Sequence, residues 1–269
     1  GPGGKGSNQA IAAARLGGKV NFITKIGKDQ NADMALSLYR DVGMDISSII
    51  KDANYSTGVA GIMINEKTGD NAISIVPGAA ATLTNEDIDN NLKYMEKSEI
   101  FLTQLETPYE VTSYALKKAK ELKLTTIFNP APASEINEND FKLIDYFTPN
   151  ETEASFYLKK NVESKTEIEI AAKKFLEKGV KNILITLGSK GVYFANSTES
   201  YFTGAFKLKD KVVDTTGAGD AFNGAFAYAL SNNRTNKDAL EFANKVAGIS
   251  TTRAGAANAM PELKEVESY

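Results

Sequence analysis

The residues best placed to do chemistry run Val212-Val213-Asp214-Thr215-Thr216-Gly217-Ala218-Gly219-Asp220-Ala221-Phe222-Asn223-Gly224. The small residues at 217–219 let the backbone turn tightly with its amides outward, and a helix is expected from about Asp220. Free N–H groups and the positive end of a helix dipole favour an anion lying over such a turn. The segment therefore reads as a phosphoryl-transfer site. Asp220 sharpens the question, because a carboxylate aimed at a phosphate repels it. An Asp at a helix start is also an ordinary N-cap, and the motif alone leaves both readings open.

Composition narrows the chemistry. Of 269 residues none is His and none is Cys. A general base therefore has to be Asp, Glu, Lys or Tyr, and neither a disulfide framework nor a thiolate metal site is possible. The net charge is −3, with both signs scattered. That argues against nucleic acid as a partner, yet admits a small anion such as ATP held by local amides and one or two cations. No apolar run is long enough to cross a bilayer and the opening residues do not read as a signal peptide. A soluble, cytoplasmic protein with no membrane partner is the expectation.

Four further segments carry polar residues at suggestive spacings. Residues 1–6 match G-x-G-x-x-G, but a dinucleotide fingerprint needs a strand just before it and an acidic residue after the next strand, and neither is in place. A Walker A loop fails as well, because Lys5 is followed by Gly6 where a hydroxyl should hold Mg²⁺. A plain loop-to-helix turn is the other reading. Glu106 stands just before Pro108, either as a favourable charge at a helix start or as a ligand-binding group. Asn150 and Glu153 lie three apart at a helix start and share a face, as a capping pair or as a polar site. Thr186-Leu187-Gly188-Ser189-Lys190-Gly191 reads as a Gly-bounded turn between two strands.

Taken together, Gly3-Gly4-Lys5-Gly6-Ser7-Asn8-Gln9, Asn129-Pro130-Ala131-Pro132-Ala133, Thr148-Pro149-Asn150-Glu151-Thr152-Glu153, the 186–191 turn, the 214–224 segment and Thr252-Arg253-Ala254-Gly255-Ala256 resemble, in order, the carbohydrate kinase family of ribokinases, fructokinases and adenosine kinase. The resemblance covers nearly the whole chain. It implies ATP-dependent phosphorylation of D-ribose at O5, with Asp220 taking the hydroxyl proton and the amides of Gly217, Ala218 and Gly219 stabilising charge on the transferred group. It assigns Gly3, Gly4, Lys5, Asn8 and Glu106 to the sugar. Asn150 and Glu153 fall near Mg²⁺, mostly through water. Thr186, Gly188, Ser189, Gly191, Gly219 and Asn244, together with Asn150, fall around the nucleotide. Asp214, Thr216, Ser250, Arg253, Gly255 and Ala259 would surround K⁺, mainly through backbone carbonyls, with Ala259 standing where the family often carries a Ser ligand. It also implies that roughly one strand pair's worth of residues lies upstream of Gly1, and a homodimer formed through a lid. The alternatives are a sister kinase acting on deoxyribose, fructose or a nucleoside, a catalytically silent sugar-binding fragment, and the dehydrogenase.

The elements expected to position these residues make one α/β domain, a mostly parallel central sheet with helices on both faces plus a small β-sheet lid. Residues 8–16, 32–42, 108–122, 167–178 and 240–247 read as helices, and 20–26, 100–103, 125–128, 145–148 and 182–187 as strands. Thr84-Asn85-Glu86-Asp87 resembles a capping box. In such sheets ligands gather at the carboxyl ends of the strands. Glu106, Asn129, Asn150, Gly188 and Asp214 each fall at or just after the end of an apolar run. Residues 58–65 and 72–76 read as a hairpin turning at 66–71, within a lid spanning about 58–76. Its apolar residues Val59, Ile62, Ile64, Ile73, Ile75 and Val76 exceed what a two-stranded flap can bury, which predicts an interface.

Overall fold

The computed structural model describes residues 1–64 and 71–269, with side chains described outside 62–73. It opens with α1 (Lys5–Arg15), β1 (Thr24–Ile26), α2 (Gln30–Asp41) and β2 (Ile49–Lys51). Next come β3 (Thr57–Ile64), β4 (Asn71–Gly78) and the short helices α3 (Asn85–Asp89) and α4 (Leu92–Met95). Alternation follows, through β5 (Ile100–Thr103), α5 (Tyr109–Glu121), β6 (Thr125–Phe128), β7 (Tyr146–Phe147), α6 (Glu151–Leu158), α7 (Lys165–Glu177) and β8 (Asn182–Thr186). The remainder is β9 (Val192–Asn196), β10 (Ser200–Thr203), α8 (Ala218–Ser231), α9 (Asn236–Ser250) and α10 (Leu263–Ser268).

Six strands form one sheet in the order β10-β9-β8-β7-β6-β5. Strands β5 to β8 pair in parallel, as the alternation predicts. Strands β9 and β10 add antiparallel on one edge, because the turn at 188–190 is too short for a crossover and folds β9 straight back on β8. The sheet is thus mixed. Side chains alternate across it with period two. In β8, Leu184 joins the core built with α1, α2, α8 and α9, while Ile183 and Ile185 join the core built with α6 and α7. Phe128, Phe141, Phe147 and Phe175 are fully buried in that second core, with Phe141 and Phe147 edge to face at 5.5 Å. Each such ring contributes about 1.5–3 kcal/mol by leaving water. Helix starts are locally specified as well. Thr84 and Asp87 form the expected capping box, and Ser164 with Glu167 forms another on α7, each worth about 1 kcal/mol.

Some boundaries differ from expectation. α1 begins at Lys5 instead of residue 8, which places Asn8 and Gln9 inside the helix. The apolar run 20–26 yields only the three residues of β1, paired in parallel with β2. Outside those three, residue 21 makes one isolated bridge to Asp45, so apolar content there serves side-chain packing more than ladder formation.

The expected lid strands are β3 and β4, antiparallel with Val59 opposite Val76 and Ala60 opposite Ile75. Val59, Ile75 and Val76 are 46, 57 and 56% exposed. Of the expected turn at 66–71, residues 66–70 lie outside the described residues and Asn71 opens β4, and the side chains of Ile62, Ile64 and Ile73 also lie outside them. At the base of this hairpin, Asp29 caps α2 through the Ala32 N–H and also accepts from the Thr57 N–H at 2.7 Å, so one carboxylate ties the small sheet to a helix. Among the described residues no helix is long and apolar enough to cross a membrane.

Candidate active site

Four adjacent strands end at the same edge, and the chain places a candidate site residue just beyond each one. Glu106 follows β5, Asn129 follows β6, Asn150 follows β7 and Gly188 follows β8. Asp214 departs from this pattern. Val212 and Val213 before it lie in no strand and are 49 and 62% exposed. Asp214 is held instead by the loop after α9, where the Thr251 carbonyl accepts the N–H groups of Val213 and Asp214.

Helix α8 starts at Ala218, two residues earlier than expected, and Gly217 is its N-cap with φ 76°. A Cβ at 217 would lie 3.1 Å from the Ala256 Cβ, so glycine serves both the left-handed conformation and the close approach. Asp220 therefore does not cap the helix. Its side chain is turned inward, 6% exposed, and accepts from Asn8 Nδ2 at 2.8 Å on Oδ2 and from Gln9 Nε2 at 3.0 Å on Oδ1. Burial pushes the Asp220 carboxyl above its ordinary value, with Lys5 and the two amide donors pulling the other way. Asn8 Oδ1 is buried with no hydrogen-bond partner among the described residues.

Helix α1 presents this amide pair, and its start is fixed from a distance. Gly4, at φ 90°, precedes the helix, and the first helical N–H, that of Lys5, donates to Glu106 Oε2 at 2.6 Å. Glu106 thus acts at a helix dipole, though at that of α1 and not of the helix that follows it in sequence. Burial raises its carboxyl, opposed by the Lys5 N–H. The Lys5 charge also acts on Glu153 and Asp220, so one cation serves three carboxylates. Gly3 lies at the surface beside them.

Asn150 and Glu153 form a reciprocal capping box at the start of α6. Asn150 Oδ1 accepts the Glu153 N–H and Glu153 Oε2 accepts the Asn150 N–H, both at 2.8 Å. Burial raises Glu153 as well. Asn150 bridges in parallel to Thr186, and Lys190 pairs with Glu151 at 3.4 Å, so α6 and the 186–191 turn stand side by side. Ser189 is exposed on that turn. Gly191, at φ 99°, packs so near the 203–205 segment that a Cβ would lie 2.1 Å from the Thr203 carbonyl oxygen. From the other side Asn244 Nδ2 donates to the Gly204 carbonyl at 3.2 Å. A groove of ≈ 720 Å³ runs there, lined by Gly204, Phe206, Phe242, Asn244 and Lys245 among others.

In the third group, Asp214 accepts from the Thr216 and Gly255 N–H groups at 2.9 Å each. These bonds, that from Gly255 first, hold its carboxyl below the usual range. The other three candidates around this loop have their side chains engaged elsewhere or lack a polar one. Ser250 Oγ donates to the Ala247 carbonyl, Arg253 pairs with Glu265, and Ala259 is buried in a single turn at Ala257–Ala259.

A model of the pfkB family of carbohydrate kinases matches residues 1–263. The chain belongs to that family. Among its curated relatives, the ribokinase of Staphylococcus aureus (strain COL) is 40% identical over 265 residues, 98% of this chain and 86% of the relative. A solved ribokinase from Thermotoga maritima superposes with a TM-score of 0.89 at 42% identity, covering 100% of this chain and 87% of that one. An Arabidopsis thaliana ribokinase, solved with ribose and ATP, superposes with a TM-score of 0.93 at 30% identity over 99% of this chain and 86% of that one. The pfkB fold accounts for the mixed sheet, and the dehydrogenase reading of residues 1–6 falls away.

Two residues escaped sequence reasoning. Gln9 is 1% exposed and bonds directly to Asp220. Gly224 has no room for a side chain against α1. The signal available for both was their place in the quoted motifs, one position beyond Asn8 and four beyond Asp220.

Proposed function

We propose that the chain transfers the γ-phosphoryl group of ATP to O5 of D-ribose, giving ADP and D-ribose 5-phosphate. The observation that carries this reading is the buried Asp220 carboxylate, set by Asn8 and Gln9 one step behind the amides at the start of α8, of which that of Ala218 donates to the Thr215 carbonyl at 3.2 Å. In this arrangement Asp220 faces the attacking hydroxyl and takes its proton. The N–H groups at 217–219 meet the charge that develops on the transferred group, so catalysis is positioning plus electrostatics. The repulsion between carboxylate and phosphate is avoided because the carboxylate sits on the nucleophile's side. The unpartnered Asn8 Oδ1 suits a sugar hydroxyl donor, and Glu106 and Lys5 stand beside it.

The nucleotide side falls to Thr186, Gly188, Ser189 and Gly191 on the turn, Asn150 beside it, Asn244 on the groove and Gly219 at the start of α8. The donor set fits Mg²⁺ held chiefly by phosphates and water. Asn150 and one oxygen of Glu153 are already engaged in capping, and among the described residues no cluster of three or more acidic side chains could hold a metal alone. Bound there, Mg²⁺ would neutralise phosphate charge, with Glu153 oriented by its cap. A monovalent cation such as K⁺ suits the oxygens of Asp214 and Thr216 and the carbonyls at positions 250, 253, 255 and 259, with no side-chain ligand at Ala259. The exposed apolar residues of β3 and β4 support a homodimer through the lid. A cytoplasmic location belongs to the same reading.

A coupled ADP assay with a panel of sugars tests the reading. Turnover is expected to depend on a pentose, with ribose preferred. A clear preference for deoxyribose, fructose or adenosine moves the chain to a sister activity.

A further inference from the structure

Five side chains behind Asp220 form a hydrogen-bonded circuit that no step of the reaction uses directly. Gln9 stands at its centre. Its Nε2 donates to Asp220 Oδ1 and to Asn129 Oδ1, both at 3.0 Å, and its Oε1 accepts from Gln104 Nε2. An amide nitrogen has two protons, and both are spent. Asn129 Nδ2 in turn donates to the Thr148 carbonyl at 3.0 Å. Thr148 Oγ1 donates to Asn223 Oδ1 at 2.7 Å, and Asn223 Nδ2 returns to the Gly219 carbonyl at 2.8 Å. The circuit therefore ties the base to the carboxyl ends of β6 and β7 and back to the turn of α8 that carries it.

Its direction is fixed at one end. A side-chain amide can ordinarily be reversed, and which end points where must be read from its partners. A backbone carbonyl only accepts. The Thr148 carbonyl thus obliges Asn129 to present Nδ2 to it and Oδ1 to Gln9, and Gln9 must answer with Nε2. The same nitrogen then meets Asp220 as a donor. A reversed Gln9 would set its oxygen against two other acceptors.

We infer that Gln9 is a positioning residue for the phosphoryl transfer proposed above, locking the Asp220 carboxylate in one orientation through a donor whose direction is dictated from the sheet. The inference rests on the reading of Asp220 as the base. Gln9 also favours the charged form of that base. The other charges facing Asp220 are Lys5 on α1, which also favours the carboxylate, and Glu106 after β5 and Glu153 on α6, whose own carboxyls the Asp220 charge raises. With burial working against ionisation, the loss of one donor should be felt in full.

The test measures kcat, KM for ribose and the pH dependence of kcat in the full chain and in Gln9→Met, Gln104→Met and Asp220→Asn. Gln9→Met keeps most of the volume and removes the donor. It is expected to lower kcat at neutral pH by about ten-fold, leave KM little changed, and move the acid limb up by about one pH unit, the scale of a lost hydrogen bond to a charge. Gln104→Met removes the donor to Gln9 Oε1 and loosens the amide without reversing it, so a smaller shift in the same direction is expected. An unmoved acid limb in Gln9→Met, or a rise in KM alone, overturns the role. If Gln9→Met does not fold, the limb of Gln104→Met decides in the same way. Undiminished kcat in Asp220→Asn overturns the base itself, whereas a collapsed kcat there with unmoved limbs in both glutamine variants removes only the part assigned to Gln9.

Discussion

Gly224 and Gln9 meet backbone to backbone, so that a β-carbon at 224 would lie 2.4 Å from the Gln9 carbonyl oxygen and 2.7 Å from the Ala12 Cβ. This contact is what lets α1 lie on α8 and brings Asn8 and Gln9 to Asp220. For Gly224→Ala two effects compete. Helix propensity favours Ala by about 1 kcal/mol, while a methyl group forced against a backbone oxygen costs about 1–3 kcal/mol and displaces a helix. The clash is expected to win. Thermal unfolding should fall by several degrees and kcat should drop with it. Unchanged unfolding and rate would show slack between the helices.

Asp220→Asn keeps the shape of the side chain and removes the proton acceptor. A fall in kcat of roughly 10² or more is expected, the usual worth of a general base. ATP affinity, measured by calorimetry, should hardly change, because the cradle is backbone. An equal loss of ATP affinity would return Asp220 to a structural part in α8.

Because burial raises Asp220, acidity acts on activity and on stability in opposite directions. Activity is lost as pH falls through the raised folded value, higher than for an ordinary carboxylate. Stability runs the other way. Between the unfolded value near 3.8 and the raised folded one, the native state binds more protons, so this group's contribution is fully present below that window and is lost as pH rises through it. Urea unfolding of the wild type and Asp220→Asn from acid to neutral pH checks this. The wild type should lose stability relative to the variant as pH rises, and a pH-independent difference would contradict it.

A cation held by Asp214, Thr216 and the 250–259 loop would stiffen the cradle without entering the chemistry. Rates compared in potassium, sodium and a bulky organic cation at fixed ionic strength should rank potassium first. Asp214→Ala should erase the ranking. Equal rates in all three salts would refute the site.

Ile75 and Val76 on β4 are more than half exposed, which suits a covered partner face better than solvent. Sedimentation should find a dimer, and Ile75→Glu with Val76→Glu should shift it toward monomer. A dimer undisturbed by both charges would assign these strand faces another purpose.

Local rules made much of this legible. The parallel strands could be read from alternation, and four of the candidate residues fell at their carboxyl ends because chain direction alone decides where a parallel strand delivers the next residue. The capping box at Thr84 was likewise local. Gln9 was not legible, since its partner Asp220 is 211 positions away and nothing within an Ala-rich helix marks one polar side chain as inward. Gly224 was hidden for the same reason: the demand for a bare backbone comes from another helix. The run 20–26 misled because apolar content reports burial, and burial here came without a full ladder.

The two oxygens of Asp220 are served from residues 212 and 211 positions earlier in the chain. At about 5–20 residues per second, a ribosome exposes α1 roughly 10–40 s before α8 exists to receive it. Through that interval Asn8 lacks its Asp220 partner and Gln9 can meet only Gln104 and Asn129, and contacts of such long sequence separation close slowly even once both halves are present. Catalytic competence should therefore arrive late and all at once during biosynthesis, so the first turnover by a nascent chain reports that its two ends have found each other.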